Sequence, residues 1–165
     1  MKRLLCVLLA LGLLFSGCAI AGQGPREPVT FYYLRSDFRY GQADGVITGE
    51  ARESAGHAGE LGYLLGLYLM GPADESLRSP LPQDTRLLEL TQGAEEVRLT
   101  LSDTGKALTE SAFTLAAACL SLTVMELTGT KAVTIESGQR SVTMTAENLT
   151  MFDDSAAAVA TEETT

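Results

Sequence analysis

The spacing of apolar residues changes period several times along the chain, and each change marks a predicted element. Val29 to Leu34 (VTFYYL) is β-branched and aromatic, which predicts a strand. Alternation puts Phe31 and Tyr33 on one face of it and Tyr32 and Leu34 on the other. Gly45 to Arg52 predicts a weaker second strand, after the turn-like run Tyr40-Gly41-Gln42-Ala43-Asp44. From His57 to Met70 the period becomes helical, with Leu61, Leu64, Leu65 and Tyr68 on one stripe. Ser54 is the candidate cap at the start of this helix. Gly71 supplies the left-handed position that ends it, and Pro72 forbids continuation.

Asp74 to Pro82 reads as an irregular connector. Arg86 to Thr91 and Glu96 to Leu101 then flank Gln92-Gly93-Ala94-Glu95 as an antiparallel hairpin. In the second of these strands Val97, Leu99 and Leu101 alternate with Glu96, Arg98 and Thr100, so one face is wet. The longest stripe runs from Glu110 to Leu127 through Phe113, Ala116, Ala117, Leu120, Val124 and Leu127. Leu115, Cys119 and Leu122 widen it, so this helix is expected to be buried over much of its circumference. Thr109 is its candidate N-cap and Gly129 its C-terminal stop. Ser111, Thr114, Ser121, Thr123 and Glu126 argue against a lipid-spanning role. Ala132 to Glu136 and Ser141 to Thr145 form a last hairpin. The order β-β-α-β-β-α-β-β, with one apolar face on most elements, predicts an α+β fold: a two-layer sandwich of an antiparallel or mixed sheet with two helices.

A different pattern precedes all of this. Lys2 and Arg3 lead into an apolar run, Leu4 to Phe15, followed by Ser16, Gly17 and Cys18, the secretory arrangement. A dozen helical residues span about 18 Å, well short of the ~30 Å hydrocarbon core, so the run does not make a permanent transmembrane helix. Phe15-Ser16-Gly17-Cys18 resembles the lipobox of bacterial lipoproteins, with Phe15 where leucine is usual. The resemblance implies cleavage of residues 1–17 and acylation of Cys18, which places the protein on the outer face of the bacterial cytoplasmic membrane. Residues 18–28 contain glycines, alanines and prolines without an apolar period and read as a tether. Residues 29–151 would be the folded domain, and 152–165 a disordered acidic tail.

Composition narrows the chemistry. With 45% hydrophobic and 20% charged residues, the chain can bury a core. A net charge of −9 would repel phosphate backbones, which excludes sequence-independent nucleic-acid binding. Three cysteines, one histidine and no tryptophan leave little for a zinc site, a haem site or a disulfide framework. On the lipobox resemblance Cys6 would lie in the discarded segment and Cys18 would carry lipid, so Cys119, set among alanines and leucines, is expected to be a buried inert thiol.

Four segments together resemble the GerMN domain family, the sporulation and spore germination domain. They are VTFYYL, the helix end LGLYLMGP, the connector and strand SPLPQDTRLLEL, and the helix-to-strand run AACLSLTVMELTGTKAVTIESGQ. The likeness covers Val29 to Met151. It implies a fold akin to ring-building modules and a role in envelope assembly during sporulation or germination. It implies no catalytic residues.

The residues themselves offer few catalytic constellations. His57 and Glu60 could share a helix face and ligate a metal, but the preferred reading is an exposed polar first turn, with acids near the helix N-terminus as its dipole favours. Ser54 and His57 lack the glycine-flanked strained serine of a nucleophile elbow. Asp37, Asp44, Glu50 and Glu53 fall on loops and edges where acids are commonly solvated. Tyr32, Phe38 and Tyr40 cluster in and after the first strand and are the candidate interface residues, or else the edge of the core. The reading is a non-enzymatic, lipid-anchored interaction module without cofactor or metal, bound to the membrane through Cys18 and to a protein partner or a second copy. The alternative is a peptidoglycan- or glycan-binding protein or weak hydrolase.

Overall fold

The computed structural model describes residues 27–38, 45–104 and 107–149. The signal segment, Cys18, nearly all of the tether, Tyr40, Asp44 and the acidic tail lie outside the described residues. The elements are β1 (Pro28–Arg35), β2 (Ile47–Glu53), α1 (Leu61–Leu69), β3 (Leu77–Arg78), β4 (Leu87–Gln92), β5 (Glu96–Leu101), α2 (Glu110–Thr128), β6 (Ala132–Ser137), β7 (Arg140–Thr145) and α3 (Ala146–Leu149). The fold is α+β in the expected order, with the short β3 and α3 added. Its strands divide into two sheets. One has the order β2-β1-β3 and the other β4-β5-β6-β7. The larger is mixed, because β5 and β6 pair in parallel and α2 makes the crossover between them.

The α1 stripe is buried as its period requires, at Leu61, Leu64, Leu65 and Tyr68. The helix starts later than the sequence pattern suggests, and Ser54 does not cap it. Ala55 (φ 53°) and Gly56 (φ 88°) take left-handed backbone, so the chain turns through residues 54–60 before Glu60 takes the N-cap position. Gly71 (φ 92°) ends the helix, its amide donating to the Tyr68 carbonyl at 3.0 Å.

Both ends of α2 are fixed as read from the sequence. Thr109 Oγ1 accepts from the Ala112 amide, and Gly129 (φ 69°) donates to the Met125 carbonyl. Although α2 is long and apolar enough to cross a bilayer, its apolar residues are spent on protein contacts. Ala116, Ala117, Leu120 and Val124 join Val97, Leu99, Leu101, Val133 and Ile135 of the mixed sheet in the main core. Leu115 and Cys119 meet Leu34 of β1 in a smaller cluster.

The contact between α2 and β1 is also polar. β3 covers the edge of β1 only at Leu34 and Arg35, and upstream of these residues that edge faces α2. There the Tyr32 amide donates to Thr123 Oγ1 at 2.9 Å, while the same hydroxyl donates to the Cys119 carbonyl at 3.0 Å. A threonine thus satisfies a strand amide that no strand can reach. Replacing Thr123 with valine keeps the shape and removes the acceptor. The expected cost is about 1–3 kcal/mol, read as a lower urea midpoint at unchanged m-value.

Candidate interaction surfaces

The three aromatic residues singled out in the sequence lie in different surroundings. Tyr32 is half-buried and opposes Gly49 on β2. A Cβ at Gly49 would stand 3.5 Å from the Tyr32 ring and 2.9 Å from Thr30 Cγ2, so the glycine leaves the slot over which the ring lies. Phe38, also half-buried, packs on the cluster of Leu34, Leu115 and Cys119, with the Arg78 guanidinium 6.0 Å from its ring. Tyr40 lies outside the described residues. Structure therefore brings Tyr32 and Phe38 against the body at two places along β1 and its exit.

Phe31 and Tyr33, on the opposite face of β1, build the aromatic centre with Tyr68 of α1. Tyr33 and Tyr68 stack with centroids 4.8 Å apart and planes 5° apart, and Phe31 meets both edge-on. The Tyr33 hydroxyl donates to the Tyr68 carbonyl at 3.0 Å. Burial raises the Tyr33 pKa to about 12, with Arg52 partly opposing the rise. Burial also pushes the Tyr68 hydroxyl and the Cys119 thiol well up, so the thiol stays protonated and unreactive.

Two β2 side chains clamp the exit of α1, which the sequence reading missed. Glu50 Oε1 accepts from the Ala73 and Asp74 amides at 2.8 and 2.7 Å. Arg52 donates to the Gly71 carbonyl at 3.1 Å and lies 5.7 Å over the Phe31 ring. Glu50 is therefore a structural acceptor and not a solvated acid. The sequence signal was its same-face spacing with Arg52 on a strand that also holds Thr48, Gly49 and Ala51.

His57 sits in the turn before α1 and not on the helix, so it and Glu60 do not share a helix face. Its Nδ1 lies 2.9 Å from Glu60 Oε1, and its ring stacks on Tyr63 at 4.0 Å. Ser54 is buried. Asp37 pairs with Arg35 at 2.6 Å, a bond that holds its carboxyl below the usual range. Among the described residues no group of three or more His, Cys, Asp or Glu side chains could hold a metal ion.

Two open grooves are lined by described residues. The larger, about 750 Å³, is lined by Asp103, Glu110, Phe113, Gly138 and Arg140 among others. Arg140 is committed there: it pairs with Glu110 at 2.8 Å, donates to the Leu108 carbonyl at 2.9 Å and covers Phe113 at 5.4 Å. The smaller groove, about 490 Å³, runs past Arg35, Asp37, Thr48 and Ser76. Neither is lined by a histidine or cysteine. Among the described residues the large apolar side chains most exposed to solvent are Tyr63, Met70 and Leu88. Tyr63 and the C-cap residue Met70 lie seven residues apart, hence on one side of α1.

A family model described as sporulation and spore germination (Germane) matches residues 30–143. Among solved structures, the tandem GerMN domains of the sporulation protein GerM from Bacillus subtilis are similar with a TM-score of 0.51 at 17% identity, over 70% of this chain and 40% of that one. A Clostridium perfringens structure described as a lipoprotein gives a TM-score of 0.44 at 17% identity, over 74% of this chain and 89% of that one. No curated protein matches.

The two chemical centres separate under mutation. Glu50→Ala strips two amides of their acceptor and should cost about 1–2 kcal/mol, whereas His57→Ala, on an exposed pair, should stay within about 0.5 kcal/mol in the same melt. The raised Tyr33 pKa contributes stability in full below about pH 10, the unfolded value. That contribution is lost as pH rises toward 12, because the unfolded chain ionises first. Tyr33→Phe should therefore lower stability by about 1 kcal/mol at neutral pH. The same variant should lose less stability than the wild type when chemical melts are repeated between pH 10 and 12.

Proposed function

Because the chain belongs to the sporulation and spore germination family that the GerMN domain defines, we propose that it is a lipid-anchored, extracytoplasmic interaction module of a sporulating cell's envelope. The family match over residues 30–143 carries this reading, and the domain family it points to is non-enzymatic. The lipobox-like Phe15-Ser16-Gly17-Cys18 supports the anchor, and the basic and apolar leader before it supports export. The module works by display. Acyl chains on Cys18 confine the chain to the outer face of the cytoplasmic membrane, the tether keeps the domain near it, and the surface at Tyr32 or at Phe38 receives a protein partner or a second copy.

Nothing favours the glycan-hydrolase alternative over this. Such an enzyme needs two acids facing a substrate with their pKa values pushed apart. Of the acids lining the larger groove, Glu110 is paired with Arg140.

Metabolic labelling with an alkyne fatty acid tests the anchor. The wild type should incorporate the probe and sediment with membranes, and Cys18→Ser should lose the label and appear in the soluble fraction. Equal labelling of both, or no labelling of either, contradicts the reading. A photocrosslinker at Phe38 in sporulating cells should trap a protein adduct of discrete size, and adducts with lipid alone would remove support for docking there.

A further inference from the structure

β7 forms one edge of the mixed sheet, and only part of that edge is closed. After Thr145 the chain turns into α3, where Leu149 is buried in the main core and the Asn148 carboxamide comes back onto the strand. Asn148 Oδ1 accepts from the Thr145 amide at 2.7 Å, and Nδ2 donates to the Thr143 carbonyl at 3.3 Å. Engaging a carbonyl and the amide two residues beyond it is how a residue of a neighbouring parallel strand bonds. One side chain thus stands in for a residue of a fifth strand. The same bonds show that Thr143 and Thr145 turn backbone groups away from β6, and period two puts those of Ser141 on the same side.

Among the described residues, no strand continues this pairing along Ser141. There the edge borders the larger groove, about 750 Å³, whose walls include Ser141 and Val142 of β7 and Phe113 and Thr114 of α2. A strand added at this place would run along β7 with every second side chain turned toward α2. The other long edges are guarded. β4 carries a register break between Leu87 and Glu89, and β2 carries Glu50, Arg52 and Glu53. From Ser141 to Thr145, β7 holds no charge, no proline and no break in its register with β6.

The lining also sets the charge of what fits. Asp103 and Glu110 stand against Arg140 in the groove, and the whole chain carries −9. Residues 150–165 hold four acids and no base, and a second copy brings the same negative charge. A basic segment is the complement. We propose that the open part of the β7 edge takes an extended segment of a partner protein, apolar at alternate positions and basic among the rest, as a fifth strand beside α2. About four residues fit between the turn at Gly138 and Asn148. This surface is separate from Tyr32 and Phe38, and it is independent of the anchor.

The probe is the end-blocked peptide Lys-Val-Thr-Val-Lys, titrated into the full chain in detergent while amide resonances are followed. Shifts should centre on Ser141 to Thr143, and exchanging both lysines for glutamate should weaken binding severalfold. N-methylation of alternate peptide amides gives two versions, with the blocked amides toward β7 in one and away from it in the other. One should bind about tenfold more weakly and the other as before. Ser141→Pro removes an outward amide and spares the ladder to β6, so it should weaken the unmodified peptide by a similar factor. Absence of binding at millimolar peptide, equal binding by the glutamate version or by both methylated versions, or unchanged binding to a folded Ser141→Pro chain overturns the proposal. Protection of the Ser141 and Thr143 amides in the chain alone overturns it as well. Protection lost on removing residues 152–165 assigns the edge to the tail, and protection that rises with concentration assigns it to a second copy.

Discussion

The architecture depends on one seating: α2 packs against the mixed sheet and, along another side, against the edge of β1. Its small residues make this workable. Ala116, Ala117 and Ala118 are buried with Leu120 and Val124, letting the helix approach the strands closely. The cost of such an approach is a stretch of β1 whose amides face a helix and not another strand. Thr123 resolves it by serving two backbones at once, accepting from Tyr32 and donating to Cys119. The remaining features follow from that seating. Leu34 and Phe38 close over Leu115 and Cys119, and α1 closes the other face of β1 through the Tyr33–Tyr68 stack.

Function, on this account, comes from what the packed body leaves outside. Among the described residues, three reactive groups serve the structure: the Cys119 thiol is buried, Glu50 holds a loop, and Arg140 joins β7 to the entry of α2. The proposed display role rests on the family match and on the lipobox-like Phe15-Ser16-Gly17-Cys18.

Much of the fold was legible because the signals that built it are local. The period of Leu61, Leu64, Leu65 and Tyr68 fixes which side of α1 is buried, and the alternation of Val97, Leu99 and Leu101 does the same for β5. Thr109 and Gly129 act within a turn of the residues they cap. The misses are nonlocal or conformational. Glu50 serves amides more than 20 positions away and Thr123 an amide 91 positions away, distances at which no spacing rule operates. The late start of α1 comes from left-handed backbone at Ala55 and Gly56, which an apolar stripe does not register. The division into two sheets was equally hidden, because pairing partners are set by how α2 crosses from β5 to β6. As for the surfaces, the aromatic content of β1 drew attention to Tyr32 and Phe38, whereas exposure is greater at Tyr63 and Met70.

Native-state hydrogen exchange of the Tyr32 amide tests the central seating most directly. If α2 and β1 are held as one unit, this amide exchanges only through global opening, with the same free energy as the amides of β5 and β6. Exchange of Tyr32 at a much lower free energy, while β5 and β6 stay protected, would show that β1 leaves the helix independently and would contradict the account.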